Sequence, residues 1–357
     1  MHQKLFPLLS ATLLLLTASS CADDTEQSTS NDSSAAVISL SAMPSLQTRT
    51  TLSSGDAVQH VSQVQLYVFD GTAADATCVA SEDTGWNPAG ATQGLPTREQ
   101  TYHIKYQGLQ PNTTYTLIAV GNDDRSTTTY QPLTIGTKLS DARAATSSTA
   151  TRDDIAHSEL FGGHLTVTTN AKAGFDATID LYRRVAGVML NINSISSNYN
   201  GKAIGAIRVE LYTQQNRSVS LADNNIASDP LTSNDNNENT HNKTIIDIPA
   251  SEFKRADDNT SAVKGSYVLP IAAPADDTTP TMQLVILDTD GNETGRKNIK
   301  LASSITTADG TTTTADTTLY PLLPNQYYQI NATITGTDIT AAIRAMGAWQ
   351  EDIDINL

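Results

Sequence analysis

Apolar and polar residues alternate along most of this chain. Val64, Leu66 and Val68 interleave with Gln65, Tyr67 and Phe69, and Asp70-Gly71 then supplies a turn. Successive side chains of an extended strand point to opposite faces, so a period of two predicts a strand with one face on a core. The same pattern predicts strands over 101–106 and 114–120, separated by a turn at Gln110-Pro111-Asn112. It returns over 164–169, 177–182, 185–193 and 206–212, and again over 244–248, 266–271, 282–287, 296–301 and 327–335. One short alternating segment, Val37-Ile38-Ser39-Leu40-Ser41, stands ahead of all these. β-Branched, half-buried runs bounded by Gly, Pro, Asn and Asp are the signature of an all-β sandwich. Helical signals are few: 138–146 predicts at most a short helix, and 339–345 reads equally as helix or strand. No βαβ alternation is visible, which argues against a doubly wound parallel sheet.

At 357 residues the chain is long enough for two domains of ordinary size, and a boundary near 182–188 leaves a sandwich on each side. The segment 222–242, with Asn224-Asn225 and Asn234-Asp235-Asn236-Asn237, predicts an exposed polar excursion. No second run of about twenty apolar residues follows the N-terminus, so no later membrane span is expected.

The first residues follow a different rule. Met1-His2-Gln3-Lys4 precedes an apolar run from Leu5 to Thr17 that includes Leu13-Leu14-Leu15-Leu16. The run is too short for a stable anchor and predicts a cleaved secretory signal over 1–20. Ala18-Ser19-Ser20-Cys21 resembles a bacterial lipobox, in which the cysteine becomes the lipidated first residue; an ordinary signal peptide with an incidental cysteine is the alternative. A polar tether, 22–34, comes next. Arg49 is then the only Lys or Arg between Lys4 and Arg98. A lone basic residue among Ser and Thr is a sharply defined cut site for a trypsin-like or Arg-specific protease, and equally an ordinary solvated arginine.

A formal charge of −16 excludes a phosphate-neutralising surface, so no nucleic-acid partner is expected. The only cysteines are Cys21 and Cys78, so lipid on the first leaves the second without an intrachain partner. The six histidines, His2, His60, His103, His157, His164 and His241, show no metal-ligand spacing, and neither metal nor cofactor is expected. No Gly-rich phosphate loop, Gly-x-Ser-x-Gly elbow or HExxH occurs, and a Cys78–His pair has no local motif behind it, so no catalytic residue is assigned. Asp288-Thr289-Asp290-Gly291 begins like a calcium loop but lacks the distal glutamate, and Asp290-Gly291 between apolar runs predicts a hairpin turn. Asp123-Asp124, Asp153-Asp154 and Asp276-Asp277 could serve glycoside hydrolysis as carboxylate pairs, yet their Ser- and Thr-rich settings predict solvated turns. Trp86 falls in a loop and Trp349 near the end.

Three stretches carry a family resemblance. Ile179-Asp180-Leu181-Tyr182-Arg183-Arg184-Val185-Ala186-Gly187-Val188 resembles the L-x-R-x-V-A-x-(V/I) strand of the fimbrillin superfamily, the fimbrial subunits of Bacteroidales type V pili. Val64 to Gly71 resembles the first strand of that family's N-terminal domain. Pro324-Asn325-Gln326-Tyr327-Tyr328-Gln329-Ile330 resembles its R-N-x-x-Y-x-I element, with Pro324 in place of the arginine, and Trp349 near the C-terminus also fits. The resemblance implies two tandem transthyretin-like antiparallel β-sandwich domains, 50–184 and 185–357. It further implies a propeptide, 21–49, with lipidated Cys21, a first strand over 37–41, the stretch Met43-Pro44, and cleavage between Arg49 and Thr50 by an Arg-specific protease. The precursor would then be lipid-anchored at the outer membrane, and the mature chain would join other fimbrial subunits in a homopolymer on the cell surface.

A physical argument supports that scheme. Removing one strand from a sandwich exposes an apolar groove and a row of unpaired N–H and C=O groups, a state too costly to persist. A strand from another chain can fill it, with main-chain bonds giving affinity and alternating side chains giving register. The tail offers one: Trp349, Ile353, Ile355 and Leu357 share a parity, opposite to Asp352, Asp354 and Asn356, and Ile339, Ala341 and Ile343 keep the same register. A head-to-tail contact of this kind does not close, so it makes a filament. The tail reads alternatively as the last strand of its own domain. At the level of function the shaft subunit competes with a fimbrial anchor or tip, and with a surface glycan-binding lipoprotein whose site would use loop aromatics such as Trp86 and Tyr130.

Overall fold

The computed structural model describes residues 33–42, 61–86, 99–124, 126–213, 215–223, 226, 229, 243–256, 259–276, 278–306 and 310–348. Ahead of Arg184 lie β1 (Ala36–Ala42), β2 (Gln63–Phe69), β3 (Cys78–Asp83), β4 (Glu99–His103) and β5 (Thr114–Asn122). They are followed by α1 (Ser126–Thr129), β6 (Tyr130–Gln131), β7 (Arg143–Thr146), α2 (Arg152–Ala156), β8 (Leu160–Thr168) and β9 (Phe175–Arg183). Seven of these strands form one path in the order β3-β2-β5-β8-β9-β1-β4. The path turns a corner where β8 meets β9 at only two positions, Phe161↔Arg183 and Gly162↔Tyr182. The corner needs Gly163, since a Cβ there would lie 2.2 Å from the carbonyl oxygen of Asp180. Two layers result, β3-β2-β5-β8 and β9-β1-β4. Between them pack Ile38 and Leu40 of β1, Val64, Leu66 and Val68 of β2, Leu117 and Ala119 of β5, and Ile179 and Leu181 of β9.

The C-terminal half begins with β10 (Ala186–Ile195), β11 (Asn198–Tyr199), β12 (Lys202–Leu211), β13 (Ser218–Ser220), β14 (Thr244–Pro249), β15 (Lys254–Ala256) and β16 (Asn259–Val268). It continues with β17 (Met282–Asp288), β18 (Glu293–Asn298), β19 (Lys300–Leu301), β20 (Ile305–Thr306), β21 (Thr312–Thr313), β22 (Gln326–Ile334) and β23 (Ile339–Ala348). A six-stranded sheet, β15-β16-β10-β22-β23-β19, faces a second sheet of β11, β12, β17 and β18, with β14 also paired to β12. Their shared core includes Val188, Leu190 and Ile192 of β10, Ile207 and Val209 of β12, Leu284 and Ile286 of β17, and Tyr328 and Ile330 of β22.

The connectivity of the first half recurs in the second. β1 lies between antiparallel β4 and parallel β9, and β10 lies between antiparallel β16 and parallel β22. The opposing layer β3-β2-β5-β8 is matched by β14-β12-β17-β18. The second half adds β23, which runs antiparallel to β22 with Ile343 opposite Ile330. The chain is therefore all-β, largely antiparallel, and layered as β-sandwiches.

The two halves share a seam. β13 of the second half pairs with β7 of the first, Val219 opposite Ala144, and β7 pairs in turn with β6. Around this small sheet Tyr67, Phe69, Tyr130 and Ile155 pack with Val185, Met189, Tyr267 and Tyr327. Arg183 is buried here, its Nε 2.5 Å from Oε1 of buried Glu159, with its guanidinium 5.5 Å from the centre of the Phe161 ring. Burial pushes the Glu159 carboxyl up while Arg183 pulls it back, and the Tyr267 hydroxyl of β16 faces the same carboxyl.

Several sequence expectations change. The segment 138–146 is not a helix beyond one short turn, Leu139–Asp141; it continues as β7, because pairing with β13 some seventy residues later outweighs the local preference of Arg143-Ala144-Ala145-Thr146. Residues 339–345 belong to β23. The strand expected over 101–106 ends at His103. Asp290-Gly291 does form the turn of the β17–β18 hairpin, where Asp288 Oδ1 accepts from the backbone N–H groups of Asp290 and Asn292.

Candidate functional site

β1 is the element around which a site can be built. Its burial alternates without a break: Ala36, Ile38, Leu40 and Ala42 are buried, while Val37, Ser39 and Ser41 are half-buried. Ile38 and Leu40 are wholly inaccessible. Both backbone edges are used, with Val37↔His103 through Ser41↔Glu99 on one side and Ala36↔Phe175 through Ala42↔Leu181 on the other. A strand in that position is central, and its removal opens a slot instead of trimming an edge.

The start of the strand is held closely. The side-chain Nδ2 of Asn170 donates to the carbonyl of Ser33 (2.8 Å), and the N–H groups of Phe175 and Ile104 donate to the carbonyls of Ala35 (3.1 Å) and Ala36 (2.9 Å). Gly174 makes this approach possible: a Cβ there would sit 2.0 Å from the Ser33 carbonyl oxygen. Asn170 Oδ1 also accepts from the N–H groups of Lys172 and Gly174, so one amide shapes the β8–β9 turn and grips the incoming chain.

The walls of the slot are fixed by contacts that do not involve β1. β9 is continuous with β8 through the corner. β4 has β1 as its strand neighbour, but Glu82 of β3 reaches across to it from the other layer. The Glu82 carboxylate accepts from the Tyr102 hydroxyl (2.7 Å) and from the N–H groups of Lys105 (2.9 Å) and Tyr106 (2.7 Å). Gln100 Nε2 donates to the carbonyl of Thr84 (2.8 Å). Burial first, and then the bond to Glu82, push the Tyr102 hydroxyl well above its ordinary range, which keeps it a donor. Glu82, Asn170 and Gly174 are the positions that reading the sequence missed. A single acid, amide or glycine in a loop-rich chain carries no periodic signal.

Of the residues assigned from sequence, Cys21, Arg49, Thr50, Trp349, Ile353, Ile355 and Leu357 lie outside the described residues. So does the connection 43–60 that leads from β1 to Val61. Upstream of the tail, Ile339 and Ile343 are buried within their own sheet in β23. Trp86 is not a loop platform. It is buried in the first sandwich with its indole N–H donating to the Val61 carbonyl at 2.9 Å, so it has no face to offer a sugar. Tyr130 is likewise buried. One member of each acidic pair is structural. Asp123 accepts from the N–H groups of Ser126 and Glu159, Asp154 completes a capping box with Thr151 at the start of α2, and Asp276 closes a turn onto Thr278. Cys78 is buried, its Sγ 3.3 Å from the Ala80 carbonyl oxygen, and burial pushes the thiol up, away from the reactive thiolate. Among the described residues no group of three His, Cys, Asp or Glu could hold a metal ion, and no helix is long and apolar enough to cross a membrane.

A family model described as fimbrillin-A associated anchor proteins Mfa1 and Mfa2 matches residues 42–354. Among solved structures the chain is similar to a fimbrillin (fimA) from Porphyromonas gingivalis W83, with 12% identity and a TM-score of 0.45 over 87% of this chain and 97% of that one. It is similar to the tip fimbrial protein Mfa3 of Porphyromonas gingivalis, with 12% identity and a TM-score of 0.43 over 87% and 99%. It is also similar to the fimbrial anchor protein Mfa2 of the same organism, with 13% identity and a TM-score of 0.42 over 84% and 90%. No curated protein matches the chain.

Proposed function

We propose, from the premise that this chain belongs to the family of fimbrillin-A associated anchor proteins Mfa1 and Mfa2, that it is a structural shaft subunit of cell-surface fimbriae. In this reading it is exported as a lipoprotein through Cys21, cut after Arg49 by an Arg-specific protease, and polymerised when the tail of another copy replaces β1. It is then not an enzyme, its partners are further copies and other fimbrial subunits, and the fibre supports adhesion and biofilm formation. The division into two domains, 50–184 and 185–357, belongs to the same reading and is supported by the recurring connectivity of the two halves.

One observation carries it: a fully alternating strand is paired on both edges within a sheet, and the chain that leads away from it contains Arg49. Burying Ile38 and Leu40 is worth about 3–6 kcal/mol together. That is comparable to the roughly 5–15 kcal/mol by which a whole domain is stable, so an emptied slot has to be refilled. The candidate donor is Trp349 to Leu357, because Ile339 and Ile343 already serve their own sheet in β23.

Arg49→Ala tests the scheme. The precursor should keep β1, stay monomeric by light scattering, and form no fibres after treatment with an Arg-specific protease, whereas the unaltered chain does. Fibres from Arg49→Ala would exclude cleavage as the trigger. Deleting 349–357 should block polymerisation but not cleavage.

The anchor reading is favoured by the description of the matching family. An anchor keeps its lipid and its first strand. N-terminal sequencing of the surface-displayed protein separates the two: a start at Thr50 supports the shaft, and a blocked, lipidated Cys21 supports the anchor.

A further inference from the structure

The slot that β1 fills has a direction. β1 runs antiparallel to β4, from Val37↔His103 to Ser41↔Glu99, and parallel to β9, from Ala36↔Phe175 to Ala42↔Leu181. Antiparallel bonds lie square to the strands in alternating narrow and wide pairs, while parallel bonds are slanted and evenly spaced. Both walls are held by contacts outside β1, β4 through Glu82 and β9 through its junction with β8. Walls fixed in this way keep the spacing of donors and acceptors that one strand direction satisfies. An occupant running the other way would lie parallel to β4 and antiparallel to β9, which exchanges the two bonding patterns.

The side chains give the same answer. The two wholly inaccessible positions of β1 are Ile38 and Leu40, with Ser39 between them. The tail holds the same apolar pair in the same order around a polar residue, Ile355-Asn356-Leu357. Aligned so, Asn356 takes the place of Ser39, between Thr101 and Thr178, and Asp354 takes the place of Val37, between His103 and Asp176. Turned round, with Leu357 at Ile38 and Ile355 at Leu40, Asn356 stays where it was. Asp354 then moves to the place of Ser41, between Glu99 and Asp180. There it meets two carboxylates, whereas in the first arrangement it meets one carboxylate and an imidazole with an N–H to donate. Like charges directly opposite on neighbouring strands are destabilising, so the charges also favour the first arrangement.

We infer that the tail of another copy enters this slot in the direction that β1 itself runs, parallel to β9. Ile355 and Leu357 then stand in the places of Ile38 and Leu40, and Asp354 stands beside His103. The arrangement rests on the assembly reading and adds to it the direction and register of the joint.

The test joins copies by disulfides across the filled slot. Facing residues on antiparallel neighbours have Cα atoms about 4.5–5.5 Å apart, within reach of a disulfide. Copies with a cysteine in the tail and copies with one in β4 are cut after Arg49, mixed, assembled and oxidised, and the linked peptides are identified by mass. Glu99, Thr101 and His103 are all exposed, so a cysteine at any of them leaves the core intact. Asn356→Cys with Thr101→Cys should link in either direction, and so reports that the tail is seated. Asp354→Cys should link to His103→Cys but not to Glu99→Cys, which lies four residues further along β4, about 13 Å away. A link to Glu99→Cys in place of His103→Cys would overturn the direction and leave the assembly reading standing. Fibres without the Asn356→Cys to Thr101→Cys link would overturn the register. No fibres from the cut, unaltered chain would overturn the assembly reading and this arrangement with it.

Discussion

Arg183 shows how far a single side chain can depart from its expected setting. In the sequence it is one of two adjacent arginines at the end of a strand, and a guanidinium there is ordinarily solvated. Here it is buried against Glu159, in a cluster completed by Tyr267 from the other half. Removing one partner of such a pair leaves a buried charge, at a cost of about 3–5 kcal/mol. Burial raises the Glu159 carboxyl above its ordinary 4.5 in the folded chain. A group raised on folding contributes stability that is present below its unfolded value and lost as pH rises through its folded value. Arg183 opposes that loss, so Arg183→Met should exaggerate it. The urea midpoint of Arg183→Met should fall more steeply than that of the unaltered chain as pH rises above the ordinary carboxylate range; equal slopes would show that the pair does not govern Glu159. The residues Arg183 and Arg184 were legible as part of a family-like strand. The burial of Arg183 was not, because its partner lies on a different strand and leaves no local pattern.

At the scale of elements the period of two is a dependable guide to faces and a poor one to neighbours. It marked β1, β2, β5, β9, β10, β12 and β17, and the Val64, Leu66 and Val68 that it set on one face of β2 all lie in the core. Alternation also suggested that Tyr67 and Phe69 face away from the core, yet both are buried, because β6, β7 and the seam cover the second face of β2. β7 and β13 went unmarked, being short and dependent on each other across some seventy residues. Nor could periodicity show that β1 runs parallel to β9 between two neighbours. That placement has a measurable consequence. Leu40→Asp sets a carboxylate into an inaccessible position, and should undock β1 from the precursor. Amide exchange would then rise along both 99–103 and 175–183, whereas Ser39→Asp, on the half-buried face, should leave both protected. Exchange rising along only one of these strands would show that β1 is not seated centrally in solution.

At the scale of the whole molecule the seam matters as much as either sandwich. β7 and β13 exchange backbone hydrogen bonds across it, and a cluster of buried side chains drawn from both halves packs around them. The unaltered chain should therefore melt in one calorimetric transition. Val219→Asp, opposite Ala144 in the seam, should split that transition in two; two transitions in the unaltered chain would mean that the halves fold separately. The excursion that returns from the second half to pair with the first was not readable from the sequence, because β13 and β7 lie some seventy residues apart and leave no local pattern. The repeated connectivity has one last consequence. On the assembly reading a cut after Arg49 frees β1, the strand of the first half that lies between antiparallel and parallel neighbours. Its counterpart in the second half, β10, is joined at one end to β9 by two residues and at the other to the rest of the chain, so no single cut can free it. On the assembly reading each molecule thus has one socket and one plug, a valence of two, and its polymers grow in a single direction without branching.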